Sequence, residues 1–148
     1  MANASWWTPP TRATGDWSGQ WSGTLSGDSP LVGGEFVYQT AGLLAFEIFC
    51  EDDKLLIRGG LDGIAENLYP FESMLAGEYD AESGRVVMQM VEGVVHINFQ
   101  GIMIDVQFEG TLQGEVVGER IDAGTWEGRS TLPEGAEGDG VWQAAKQP

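Results

Sequence analysis

Gly15-Asp16-Trp17-Ser18-Gly19-Gln20-Trp21-Ser22-Gly23-Thr24-Leu25-Ser26-Gly27 places glycine and bulky apolar residues by turns on the odd positions, with polar residues on the even ones. Side chains alternate faces along an extended chain, so the odd positions form a single face, small and large in succession. The same alternation returns at Phe108-Gly110-Leu112-Gly114-Val116-Gly118, and in shorter form at Gly124-Trp126-Gly128 and Gly140-Trp142-Ala144. The inner wall of a small β-barrel often alternates large and small residues to fit its taper. Glycine serves there because strand backbones approach closely and the sheet bends sharply. The pattern predicts an all-β chain whose antiparallel sheet curls shut.

Outward from that stretch, turn signals recur every 8–12 residues or so, as expected of a barrel or sandwich. The extended segments are 16–26, 34–40, 43–50, 54–58, 72–79, 85–92, 94–100, 102–109, 111–117, 121–130 and 140–145. Residues 61–69 fit a strand least well, and Asp62 suits the cap of one short helical turn ending before Pro70. Between Val95-Ile97-Phe99 and Ile102-Ile104-Val106-Phe108 the apolar parity switches at Gln100-Gly101, which fits a bulge or a tight turn. No segment keeps a helical period, which argues against folds built on βαβ units. The expected architecture is one up-and-down barrel of about 8–10 strands over residues 15–146, preceded by an extended tail, residues 1–14, that holds Trp6-Trp7 and Pro9-Pro10. That tail docks on something, either one end of the barrel or another chain.

At 148 residues the chain suits one domain, and 42% hydrophobic content is that of a globular protein. Twenty-three acids against 7 bases give a net charge of −16, which disfavours nucleic acid and anionic membranes. The scattered acids read as a solvated shell, with a basic protein partner or salt adaptation as alternatives. No apolar run is long enough to span a bilayer as a helix, and the first residues lack the charged and apolar regions of a secretory signal, so the expected location is cytoplasmic. Cys50 is the single cysteine and reads as a small buried hydrophobe beside three acids that suppress its reactivity.

Gly15-Asp16-Trp17 and Gly19-Gln20-Trp21 resemble the Gly-x-Trp element on the first strand of lipocalins and related calycin barrels. The run from Phe108-Glu109-Gly110 to Gly140-Val141-Trp142-Gln143-Ala144 is similar to the last strands of small bacterial lipocalin-like domains. The resemblance covers about a third of the chain and lacks the disulfide and the long helix of secreted lipocalins. It implies a barrel with a cavity for an apolar ligand, and a basic residue, Arg129 or Lys146, set against the first-strand tryptophan. No catalytic residue carries over.

Chemistry-bearing motifs are sparse. One histidine and one cysteine make no zinc site, the acidic turns match no EF-hand, and the glycines match no phosphate loop. No cofactor or metal is implied. His96 shares its face with Asn98 and Gln100, a polar stripe facing solvent, or a polar anchor or base if that face turns inward. The aromatic and methionine inventory either fills the barrel solidly or lines a cavity. The residues expected to line it are Trp17, Trp21, Tyr38, Phe46, Met88, Met90, Phe99, Phe108, Trp126 and Trp142, with His96, Tyr79 and Gln89 as polar anchors. The leading functional expectation is binding of a small hydrophobic or aromatic molecule inside the barrel. The first alternative is a cofactor-free cyclase or isomerase using Tyr38, Tyr79, Gln89 or His96. The second is an acidic interaction or inhibitor module whose surface meets a basic protein; the partners to consider are the small hydrophobic molecule, a second copy in a homodimer, or a basic protein.

Overall fold

The computed structural model describes residues 12–29 and 33–148, apart from the side chains of Ser29 and Phe99. Eight strands follow one another: β1 (Gly15–Ser29), β2 (Gly34–Glu51), β3 (Lys54–Ala65), β4 (Tyr69–Asp80), β5 (Arg85–Phe99), β6 (Ile102–Glu115), β7 (Arg120–Leu132) and β8 (Glu134–Lys146). Each pairs antiparallel with the next, and β8 pairs with β1, so the sheet closes into an up-and-down barrel, with no helix among the described residues. Closure leaves no unpaired edge.

Three of the expected breaks are continuous strand. β2 runs unbroken through Ala41-Gly42 because Gly42 marks a close approach rather than a turn: a Cβ there would lie 1.9 Å from the Asp62 carbonyl oxygen. Gly110 plays the same part within β6, facing the Glu127 carbonyl oxygen. β5 passes through a bulge at Glu92, where φ is +55° and the register against β6 shifts between Gln89 and Gly93. The bulge moves the inward positions from even (Val86, Met88) to odd (Val95). Gln100-Gly101 is a tight turn, with φ of +52° and +83° between paired Phe99 and Ile102. Positive φ at both central residues matches the twist of a two-residue hairpin.

The helical turn expected at 61–69 is absent. Leu61 and Ala65 point into the core while Asp62 and Ile64 face outward, so the segment is the end of β3, and the turn falls at Glu66-Asn67-Leu68. Cys50 is exposed rather than buried, because the last buried position of β2 is Ile48 and the strand runs past the core.

The core explains the tryptophan–glycine rhythm. Three of the indoles lie over glycines one or two strands away around the barrel and donate their N–H to a carbonyl beside such a glycine. Trp21 covers Gly63 and donates to Asp62 O at 3.0 Å; Trp126 covers Gly23 and donates to Ser22 O at 2.9 Å. Trp142 covers Gly114 and Gly124 and donates to Gln113 O and Thr125 O at 3.1 and 3.0 Å. Buried indole N–H groups need such partners. The rings also meet edge to face: Trp21 on Trp126 at 5.7 Å, and Phe46 on Trp142 at 6.1 Å. Around the chain's entry the barrel is sealed. Ala13 is buried there and accepts the Trp17 N–H at 2.7 Å, above a layer of Trp17, Ile48, Val86 and Ile121. Thus Arg12–Thr14, read as tail, cap that end, while Trp6-Trp7 lie outside the described residues.

Candidate binding site

The opposite end is less tightly closed. Leu25, Phe36, Tyr38, Ala65, Tyr69, Val95, Ile97, Val106 and Phe108 line an apolar mouth enclosing about 40 Å³. Beneath it a second cavity of about 20 Å³ is bounded by Trp21, Thr40, Leu61, Phe71, Met90, Leu112 and Trp126. Leu25, Ala65 and Phe108 border both and form the neck between them.

Polar groups here are few. Phe36 and Tyr38 lie with ring centroids 4.7 Å apart, and Tyr38 and Tyr69 5.5 Å apart. Burial, and then its hydrogen bond with Tyr69, push the Tyr38 phenol up to about 12, so it stays protonated at physiological pH. Deeper in, Thr40 is buried on an otherwise apolar face, and its Oγ1 has no hydrogen-bond partner. A buried hydroxyl left in that state costs about 1–3 kcal/mol.

The expected lining residues divide between the two ends. Tyr38 stands at the mouth, and Trp21, Met90, Phe108 and Trp126 bound the inner cavity. Trp17, Phe46, Met88 and Trp142 belong to the packed core and border neither cavity. Phe99 ends β5, and its side chain lies outside the described ones. Of the expected polar anchors, none lines either cavity. Tyr79 is half-buried at the sealed end, its phenol raised by burial and by Asp80. Gln89 is exposed on the outer wall because Met88 and Met90 take the inward positions of β5. Thr40, Ala65 and Tyr69 were not anticipated. Thr40 was legible as the lone polar residue on the Phe36-Tyr38-Thr40 face.

His96 also faces outward, after the bulge has reset the parity of β5. Its Nδ1 lies 2.6 Å from Asp105 Oδ1 and its Nε2 3.3 Å from Glu72 Oε1. The Asp105 bond raises its pKa above the ordinary histidine value; slight burial opposes this and Glu72 adds to it. The folded chain therefore holds this proton more tightly than the unfolded chain does. The stabilisation is full below about pH 6.5, the unfolded value, and is lost as pH rises through the folded value. In urea titrations the advantage of the native chain over His96→Gln is expected to be largest below about pH 6 and to shrink as the pH climbs. An advantage that grows with pH would contradict this.

No cation sits over either first-strand indole among the described residues. Arg129 pairs with Glu109 at 2.8 Å on the exposed surface, and Lys146 donates to Arg12 O at 2.6 Å. The lysine is drawn to a carbonyl of the capping segment instead of to a ring. The larger hollows lie on the outer wall and are open to solvent, one of about 720 Å³ bordered by Thr24, Gln89, Thr111, Glu127 and Asp139, another of about 930 Å³ bordered by Leu43, Gly60 and Met74.

No known family, curated protein or solved structure matches this chain.

Proposed function

We propose that the barrel binds a small aromatic or apolar molecule carrying a single polar group, entered from the Tyr38–Tyr69 mouth. The reading is carried by the Thr40 hydroxyl, buried without a partner at the base of an apolar opening. A ligand hydroxyl or carbonyl reaching it would recover the cost of that unmet bond. The eight-stranded up-and-down architecture supports the reading by analogy with calycin barrels, whose interior is just wide enough for one small ligand.

The cavities, about 40 and 20 Å³, limit what can enter. They fall far below the roughly 300–1,000 Å³ of pockets for drug-sized molecules. The site suits one ring or a short chain, with the remainder of the ligand lying against Phe36, Tyr38 and Tyr69. Met90, flexible and polarisable, is the wall best able to give way.

Because Trp21 and Trp126 border the inner cavity, entry of a ligand is expected to change tryptophan fluorescence saturably in a titration with phenols, indoles and short-chain lipids. Thr40→Val preserves shape and removes the hydroxyl. It is expected to weaken ligands with a hydroxyl or carbonyl roughly 2- to 10-fold while sparing purely apolar ones. Ala65→Leu fills the neck and is expected to abolish the response, with far-UV circular dichroism confirming the fold. No response across the panel, or one indifferent to both substitutions, removes the proposal.

A further inference from the structure

We propose that an extended segment of a basic partner protein adds as a further strand to the free edge of β2, where β2 overruns β3 at the rim of the mouth. This stands independently of any ligand inside the barrel.

The closed wall has no edge, but its rim is stepped. β1 and β2 pair as far as Ser29 with Gly34, whereas the β2–β3 register begins only at Thr40 with Ala65. β3 then turns away at Glu66-Asn67-Leu68, so residues 34–39 of β2 run past its last paired residue. Gln39 shows which way this edge faces. Its carbonyl accepts the Glu66 N–H at 2.8 Å, and its own N–H donates to Glu66 Oε2 at 3.0 Å. Backbone groups of successive residues in a strand face opposite sides, so Val37 and Glu35 present their N–H and C=O in the same direction as Gln39. Among the described residues none pairs with these groups. Such a row is a template for another strand.

Both faces of the edge suit a polypeptide. Val37 and, on the turn beneath, Leu68 are each 66% exposed, while Phe36 and Tyr38 are half-buried on the inner face. An added strand sets its alternate side chains against these two faces. Its charge follows from the hairpin. Asp28 and Glu35 lie directly opposite each other across β1 and β2, both exposed and in no salt bridge among the described residues. Like charges so placed destabilise a sheet. Of the chain's 7 bases only Arg129 lies in the mouth half, and it pairs with Glu109 at 2.8 Å. A lysine or arginine beside Glu35 on the added strand supplies the missing cation. A second copy does not, since it brings a net charge of −16 and the same acidic rim.

The test is amide NMR of the full chain, titrated with a short capped peptide of alternating lysine and valine. Strand addition is expected to shift the Val37 and Glu35 amides and slow their exchange with solvent, leaving Val141 on the outer wall unmoved. The same peptide N-methylated at alternate residues keeps its charges and side chains but cannot pair, and is expected to bind at least ~10-fold more weakly. A valine–glutamate peptide is expected not to bind. Val37→Pro removes only an N–H that faces the gap, so the barrel loses no ladder bond, and it is expected to abolish the response at Glu35. Glu35→Lys, a milder change, is expected to weaken the lysine peptide and admit the glutamate one. Equal binding of the N-methylated peptide overturns the proposal, as do shifts centred on Glu127 and Asp139 of the outer wall. So does a rim that answers to phosphatidylcholine vesicles and not to the peptide, or one that shifts when the chain alone is concentrated.

Discussion

Replacing Gly19 with alanine is expected to destabilise the barrel by about 3 kcal/mol or more, the upper range for overpacking, and to lower Tm by roughly 6–12 °C. The substitution adds one methyl group. Its Cβ would stand 1.8 Å from the Gln143 carbonyl oxygen and 2.6 Å from the Ala144 Cα. Both are backbone atoms, so no side-chain rotation relieves the clash. Gly19 pairs with Ala144 in the seam where β8 meets β1, so relief requires the strands that close the barrel to move apart. Gly60→Ala is the matched control, with nothing nearer than 3.3 Å, and is expected to change stability by less than about 1 kcal/mol. Urea unfolding followed by tryptophan fluorescence reads both. Equal effects at the two sites would show that inward glycines are not there to let backbones approach.

The same comparison shows how far the sequence reaches. The odd-position face of β1 is local information, and so are its counterparts on β6, β7 and β8; from these the closed antiparallel sheet follows. β3 obeys the same rule, since Ile57-Gly59-Leu61-Gly63-Ala65 alternates large and small on one face. It was obscured because Leu61 and Ala65 are also four apart, a helical spacing, with Asp62 placed to cap. β2 looked like two strands because Gly42 resembles a break until the strand that crowds it is known. Thr40 fell at that false boundary, and Tyr69 at the end of the segment that fits a strand least well, which hid both as cavity-lining residues.

Whether the barrel is filled depends on information no single strand holds. An indole occupies the space that a glycine one or two strands away leaves, so the remaining volume is fixed by register between strands. Trp17 and Trp142 look like pocket walls in a strand read alone. In register they are packed against Phe46, Trp17 stacked at 6.0 Å and Trp142 edge-on at 6.1 Å. The interior cavities are thereby confined to the mouth end, where Leu25, Ala65 and Ala136 are smaller than the rings below.

Trp142→Ala is expected to cost about 3–5 kcal/mol, as for a large buried aromatic, and to cost it at a definable place. The β6–β7 register ends at Gln113 paired with Thr125, and the Trp142 N–H donates to both of those carbonyls. Beyond that pair the strands part at Gly114 and Gly124, and the ring occupies the gap: a Cβ at Gly124 would lie 2.4 Å from the indole. Gly124→Ala in the native chain is therefore expected to be severe. In a Trp142→Leu background the obstructing ring is gone and the added methyl has room. The two substitutions should be non-additive, with the double variant more stable than the sum of single effects by about 1–3 kcal/mol, the range for residues in direct contact. Denaturation of the four chains in that cycle gives the coupling. If the effects simply add, the glycine at 124 answers to its own backbone, and the link between each tryptophan and the glycines beneath it fails.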